Sequence, residues 1–439
     1  MSAPTSLVDQ LKSWAASQPD SPAIYGRSET GWNTWSWKAY WEDAQSVGRG
    51  LIALGHEVGD CVAIVGDNRP EWVLSELGIM AARGVPAPIY TTLMREQVAF
   101  IVDHAQAKIA ICDKAEQLAK YLEAIELGEI TTVERIITMD DLGSSDERVM
   151  TFDELLELGH SQEKGPLEER IDSIQEDETA LLIYTSGTTG TPKAVQLEHG
   201  GLLHVSRVCV DRAGPLRQHY RSVSYLPLCH VAEQLFTTLF HLETGGEVYF
   251  CPDLKQIKDF LVEARPTFFA GVPRVWEKFQ GALETRLGEA TGVKAALARW
   301  ARATELAAFK KEVETGEPQN GIRRKLANKL VISKVKAALG LDQVIMAGTG
   351  AAPIGVSTLE FFASLGITIY EGYGMSETSG LATTGVIGKP RFGTVGTALE
   401  GVTIKIADDD EILLKGRNMT RGYLRQEAQT KDLIDEDGW

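Results

Sequence analysis

Cys61-Val62-Ala63-Ile64-Val65 is an unbroken apolar pentad, closed by a turn from Gly66 to Pro70. A helix-length run from Glu71 to Arg83 follows, then a second apolar stretch from Val85 to Tyr90. Short apolar runs bounded by turn residues read as buried strands, so the segment is a βαβ unit and a parallel sheet is predicted. The pattern continues outward, with a helix near 96–105 and strands near 108–112 and 136–138. Residues 139–178 are acidic and read as an irregular connection. Beyond them a second alternation begins, with strands near 179–184, 194–197, 222–226, 247–250, 267–270, 343–347 and 367–370 and helices between most of them. After Thr378 the chain turns to glycine-punctuated short strands, including 402–406 and 411–414. The expected fold is α/β: two layered lobes with largely parallel sheets, residues 1–178 and 179–378, and a small β-rich subdomain, 379–439.

Bulk properties narrow the function. The 439 residues are 44% hydrophobic and 24% charged, and no apolar run approaches the ~20 residues of a membrane span. A formal charge of -17 argues against a nucleic-acid partner, because a phosphate backbone demands clustered Lys and Arg. The charge is uneven, however. Residues 291–340 hold eleven Lys and Arg against four Glu, a net of +7 that leaves -24 for the rest. Such a segment reads as a solvated face or as a surface for peripheral contact with anionic lipid. Met1 to Trp14 lacks the features of a secretory signal, and five cysteines without a CxxC pair suit a reduced, cytoplasmic protein.

Four segments carry candidate chemistry. Tyr184-Thr185-Ser186-Gly187-Thr188-Thr189-Gly190-Thr191-Pro192-Lys193 packs hydroxyls, two glycines and an ammonium directly after a strand. Backbone N–H groups of such a run converge on an anion, which suggests a cradle for nucleotide phosphates between two strands. It is not a Walker A loop, since Gly187 and Gly190 are too close and Ala194 follows the lysine. Gly348-Thr349-Gly350-Ala351-Ala352-Pro353 offers bare backbone for a flat base, and Glu371-Gly372-Tyr373-Gly374-Met375-Ser376-Glu377-Thr378 supplies a ring, a hydroxyl and a carboxylate. Leu226 to Glu233 sets His230 just past a strand end. Ligands of open α/β sheets collect at the carboxyl ends of strands, where all four segments are expected.

In this order the motifs resemble those of the adenylate-forming superfamily of acyl-CoA synthetases, peptide-synthetase adenylation domains and luciferases, over nearly the whole chain. Gly271-Val272-Pro273-Arg274-Val275-Trp276-Glu277-Lys278 is similar to the version in long-chain and very-long-chain fatty acyl-CoA synthetases. The resemblance implies activation of a fatty acid with ATP and Mg²⁺, giving acyl-AMP and pyrophosphate, with CoA as the final acceptor. It implies that Thr185, Ser186, Gly187, Thr188, Thr189, Gly190 and Lys193 hold the β- and γ-phosphates, and that Ser376 meets the α-phosphate. Thr185 and Glu377 would serve the metal. Tyr373 would stack on adenine, with Glu371 and Gly372 also in the nucleotide site and Gly350, Ala351 and Ala352 across the base. His230, Trp276, Gly348, Thr349, Gly350 and Gly374 would border the acyl group. Lys193, His230 and Glu377 are the implied catalytic residues, and the β-rich subdomain would be a distorted barrel.

Two departures bear on the acceptor. Ala194 stands where the family usually has a glycine beside the thiol channel, and the chain stops at Trp439. The family continues into a mobile C-terminal domain with a catalytic lysine, and the expectation is a core without that domain. A fatty acyl-AMP ligase or amide-forming synthetase using a carrier protein or an amine, and a catalytically silent acyl or nucleotide binder, are the alternatives.

Overall fold

A computed structural model describes residues 4–185 and 192–439. The βαβ unit lies in an all-parallel five-stranded sheet ordered Val85–Ile89, Cys61–Val65, Ile109–Cys112, Arg135–Thr138, Val149–Thr151. Every residue of the first three strands is buried, as parallel strands covered on both faces must be. Pro86 and Pro88 place Val85–Ile89 at the sheet's edge, because a proline has no N–H to give a second neighbour.

A second sheet orders Arg221–Ser224, Glu247–Phe250, Pro22–Ser28 and Gly31–Ser36, parallel except for the last pair. Two strands from before residue 178 thus complete a sheet begun by the later segment. The third sheet sets Phe268–Gly271, Met346–Thr349 and Ile369–Tyr373 in parallel, and its strand ends carry two of the glycine motifs.

The structure corrects the sequence reading in three places. Residues 139–178 are not irregular: they hold the strand Val149–Thr151 and the helices Phe152–Ser161 and Gly165–Asp172. Their acids face water while Phe152, Leu155, Leu167 and Ile171 enter the main core. The helix Phe152–Ser161 opens with a capping box, in which the Thr151 hydroxyl accepts from the Glu154 N–H and the Glu154 carboxylate accepts from the Thr151 N–H. Secondly, residues 379–439 form no closed barrel among the described residues. Thr383–Thr384 and Thr397–Ala398 instead extend the third sheet, and Val402–Ile406 and Ile412–Gly416 pair only with each other. A barrel needs every edge taken up, and here the hairpin keeps both of its own. Thirdly, the strand expected near 343–347 runs Met346–Thr349, which draws Gly348 and Thr349 into the sheet.

Five buried titratable groups give the fold a pH signature. Burial lowers His241 to about 3, and His56 and His199 to about 4, from an ordinary 6.5. Below that value the unfolded chain takes up protons the folded chain refuses, so their contribution falls as pH drops. Burial raises Glu76 to about 8 and Glu233 to about 7 from an ordinary 4.5, and their contribution is lost as pH rises through those values. The midpoint of thermal unfolding should therefore peak between about pH 6 and 7, and Glu76→Gln should flatten the alkaline fall. A midpoint climbing steadily toward alkaline pH would contradict this assignment.

Candidate active site

A cavity of about 410 Å³ opens where the strands end, and it joins three of the four motifs with Thr185 of the fourth. Thr185 closes the strand Thr179–Thr185, and its Cα pairs across an antiparallel ladder with that of Lys193. Ser186, Gly187, Thr188, Thr189 and Gly190 lie outside the described residues. Thr185, Ser376 and Glu377 line the cavity. Cys209, Phe236, Phe240, Phe268, Met346 and Ile387 line an apolar region of the same cavity. The Phe268 ring centroid is 5.2 Å from that of Phe236 and 5.6 Å from that of Phe240.

His230 contributes to the cavity wall. Its Nδ1 accepts the N–H of Ala232 at 3.1 Å, capping the short helix Val231–Glu233. An Nδ1 that accepts leaves the proton on Nε2 in the neutral ring, and burial holds the imidazole below its ordinary value. The ring is therefore a neutral donor at pH 7. Next to it, the wide π-helical turn Gln234–Leu239 brings Leu235 and Phe236 to the wall. Two buried carboxyl groups fasten this turn: Thr237 donates to Glu233 at 2.6 Å and Thr238 to Glu76 at 2.9 Å.

The glycine motifs supply close backbone approach. A Cβ on Gly374 would stand 2.2 Å from the Gly380 carbonyl oxygen, so only glycine fits there. Gly348, Thr349, Gly350, Ala351, Gly372 and Gly374 all line the cavity. Ala351 sits at φ +66, a left-handed conformation that costs a non-glycine residue on the order of 1–2 kcal/mol. The Thr349 hydroxyl is buried without a hydrogen-bond partner among the described residues, which leaves a polar atom for a ligand.

Several expected residues stand elsewhere. Trp276 is fully buried in a separate core cluster, where its Nε1 donates to the Gly348 carbonyl at 3.1 Å. It supports the strand behind the wall and does not line the cavity. Tyr373 is half-buried against the main core, Ala352 is exposed, and Glu371 accepts the Gly393 N–H at 2.9 Å; none of the three lines the cavity. Ala194 is fully buried in the hairpin.

Residues the sequence did not disclose link Lys193 to Glu377. The Lys193 Nζ lies 4.9 Å from the Tyr423 ring centroid, and the Tyr423 hydroxyl donates to Glu377 Oε1 at 2.8 Å. Asn418 is buried and donates to the carbonyls of Thr378 and Leu381 at 2.9 and 2.8 Å, fixing the turn that carries Glu377. No local pattern marks either residue, because each acts across a tertiary contact. Among the described residues no cluster of three His, Cys, Asp or Glu could hold a metal by itself. Glu377 and Thr185 fit Mg²⁺ differently, as oxygen donors of the kind it takes together with nucleotide phosphates.

A strand-end cavity with both polar and aromatic side chains in its lining accords with the family to which the chain belongs, that of AMP-binding enzymes, whose family model matches residues 11–424. Among its relatives is the long-chain-fatty-acid–CoA ligase ACSBG2 of Xenopus laevis, 35% identical over 434 residues that cover 96% of this chain and 58% of the relative. The human protein of that name is 32% identical over 427 residues, covering 95% of this chain and 64% of its own. The chain thus spans roughly three-fifths of the length of these relatives. The solved N-terminal domain of FACL13 from Mycobacterium tuberculosis is similar in fold, with a TM-score of 0.72 at 21% identity over 99% of this chain and 95% of that one. The anthranilate CoA ligase AuaEII in complex with anthranoyl-AMP gives a TM-score of 0.74 at 17% identity, covering 99% and 77%.

Proposed function

We propose that the chain is the adenylating part of a long-chain fatty acid:CoA ligase, forming acyl-AMP and pyrophosphate from a fatty acid and ATP, with thioester formation to CoA as the activity of the whole protein. The observation that carries this reading is one cavity whose lining combines the hydroxyls of Thr185 and Ser376 and the Glu377 carboxylate with the aromatic rings of Phe236, Phe240 and Phe268. A fatty acid has the complementary shape. Its apolar tail gains roughly 0.8 kcal/mol per buried methylene along Phe236, Phe268 and Met346, while its carboxylate meets the neutral His230 Nε2–H.

A carboxylate is a weak nucleophile and ATP is anionic, so the site must hold the two in line against their repulsion. One carboxylate oxygen bonds to the α-phosphorus as the bond from that phosphorus to the oxygen of the departing pyrophosphate breaks. Ser376, which lines the cavity, and Lys193, which lies over the Tyr423 ring, would donate to phosphate oxygens. Mg²⁺, when bound through Glu377 and Thr185, would offset charge on the phosphates. No protein nucleophile is required. The three regions 1–178, 179–378 and 379–439 are proposed as subdomains of this one unit. Five buried, unpaired cysteines support a cytoplasmic setting, and the basic segment 291–340 supports contact with a membrane surface.

The test is pyrophosphate release across straight-chain acids. Apparent affinity should climb with each methylene until the cavity is full and then level off, on the order of three- to fourfold per carbon. A preference for short or aromatic acids would remove the long-chain assignment, and release of no pyrophosphate with any acid would favour a silent binder.

A further inference from the structure

We propose that the outward face of the helical stretch 322–338 is a docking surface for an anionic lipid bilayer. This rests on, and localises, the membrane contact proposed above. The stretch is continuous through the helix Ile322–Ala327, the wide turn Asn328–Ile332 and the helix Ser333–Ala338. Between Glu317 and Asp342 the chain has no acidic residue. Its two faces differ in kind. Inward, Ala327 and Ile332 are buried, and Arg324 is spent on Glu305 at 2.6 Å and Glu312 at 2.5 Å. Outward stand Ile322, 86% exposed, Leu326, 46%, and Leu330, 38%, at four-residue intervals.

Arg323, Lys325, Lys329 and Lys334 flank this aliphatic row, all exposed, and none meets a carboxylate among the described residues. Three large aliphatics turned to water within nine residues, bordered by four unpaired cations, are unusual on a protein of charge -17. A solvated face needs the cations but not the aliphatic row. An interfacial helix needs both: aliphatics that enter the acyl boundary and cations that meet lipid phosphates. Charge complementarity also disfavours a second copy of the chain as occupant, since a two-fold pairing would set the same four cations against each other. The consequence is a protein that works where its apolar substrate is dissolved.

Flotation of the 439-residue chain with phosphatidylcholine vesicles, with and without phosphatidylserine, tests this without ATP or fatty acid. Its outcome is therefore readable whether or not the proposed adenylation is found. Binding should require phosphatidylserine and weaken as salt rises. Replacing a cation should lower partitioning by about fivefold each, so Arg323→Gln, Lys325→Gln and Lys329→Gln together should abolish flotation. Ile322→Ser with Leu326→Ser should lower it by at least about tenfold. Lys255→Gln with Lys258→Gln, on another exposed segment, should float like the parent. These positions are exposed, so circular dichroism should match the parent throughout. Equal binding to both vesicle types, no binding to either, parental flotation of the variants, or a change in the variants' oligomeric state in place of a lipid effect would each overturn the assignment.

Discussion

Glu377→Ala should lower pyrophosphate release by a factor on the order of 10²–10³, the usual loss when one preorganised electrostatic group is removed from a transition state. Two neighbouring interactions depend on it. Its Oε1 takes the Tyr423 hydroxyl at 2.8 Å, and that tyrosine's ring lies beneath the Lys193 ammonium. Truncation therefore removes the carboxylate from the cavity lining and frees the ring over which Lys193 lies. Stability should hardly change, because the side chain stands on a half-exposed turn whose backbone is fixed independently: the Glu377 carbonyl accepts the Thr420 N–H at 2.7 Å. Stopped assays of pyrophosphate, with thermal unfolding in parallel, check both halves. A variant that turns over at the parental rate would sink the role given to Glu377, whatever its stability.

Trp276→Ala should do the reverse, costing about 3–5 kcal/mol of stability while leaving the preferred acyl length unchanged. The indole is fully buried, edge-on to Phe269 with centroids 5.2 Å apart and to Phe362 at 4.9 Å, and its N–H is bonded to Gly348. Removal leaves a void and an unpaired carbonyl in the strand Met346–Thr349, both behind the cavity wall. Trp276→Phe keeps most of the packing and should lose less, chiefly the bond to Gly348. Urea denaturation reads the stability, and pyrophosphate release over a series of acids reads the length preference. If truncation shifted that preference with little loss of stability, Trp276 would line the acyl path after all.

Much of the site was legible because its parts are short and contiguous. Glycines, hydroxyls and a carboxylate directly after a strand can be read along the chain, and Thr185, His230, Gly348, Gly350, Gly372, Ser376 and Glu377 do meet in one cavity. The burial of Trp276 outside the cavity lining was not legible for the opposite reason: its partner Gly348 is 72 residues away, and nothing local says whether an aromatic beside a motif faces a cavity or the core. Tyr423 was invisible on the same ground, lying 46 residues from Glu377. Residues 139–178 looked irregular because their acids outnumber the few apolar side chains that decide their packing. Phe152, Leu155, Leu167 and Ile171 suffice to hold two helices once a core exists to receive them.

By itself, then, the sequence determined the parallel α/β plan, through apolar strands spaced by crossover helices, and it determined the family through motifs whose chemistry is local. Tertiary structure alone decided which flanking residues face the ligand, which sheet the early strands Pro22–Ser28 and Gly31–Ser36 join, and that the last hairpin stays open. It also separated the cation Arg324, paired with Glu305 and Glu312, from neighbours that look alike in sequence but meet no carboxylate among the described residues. The physical reason is common to all of these. Strand and turn formation answer to neighbours along the chain, whereas burial, pairing and orientation answer to whatever distant segment the fold brings into contact.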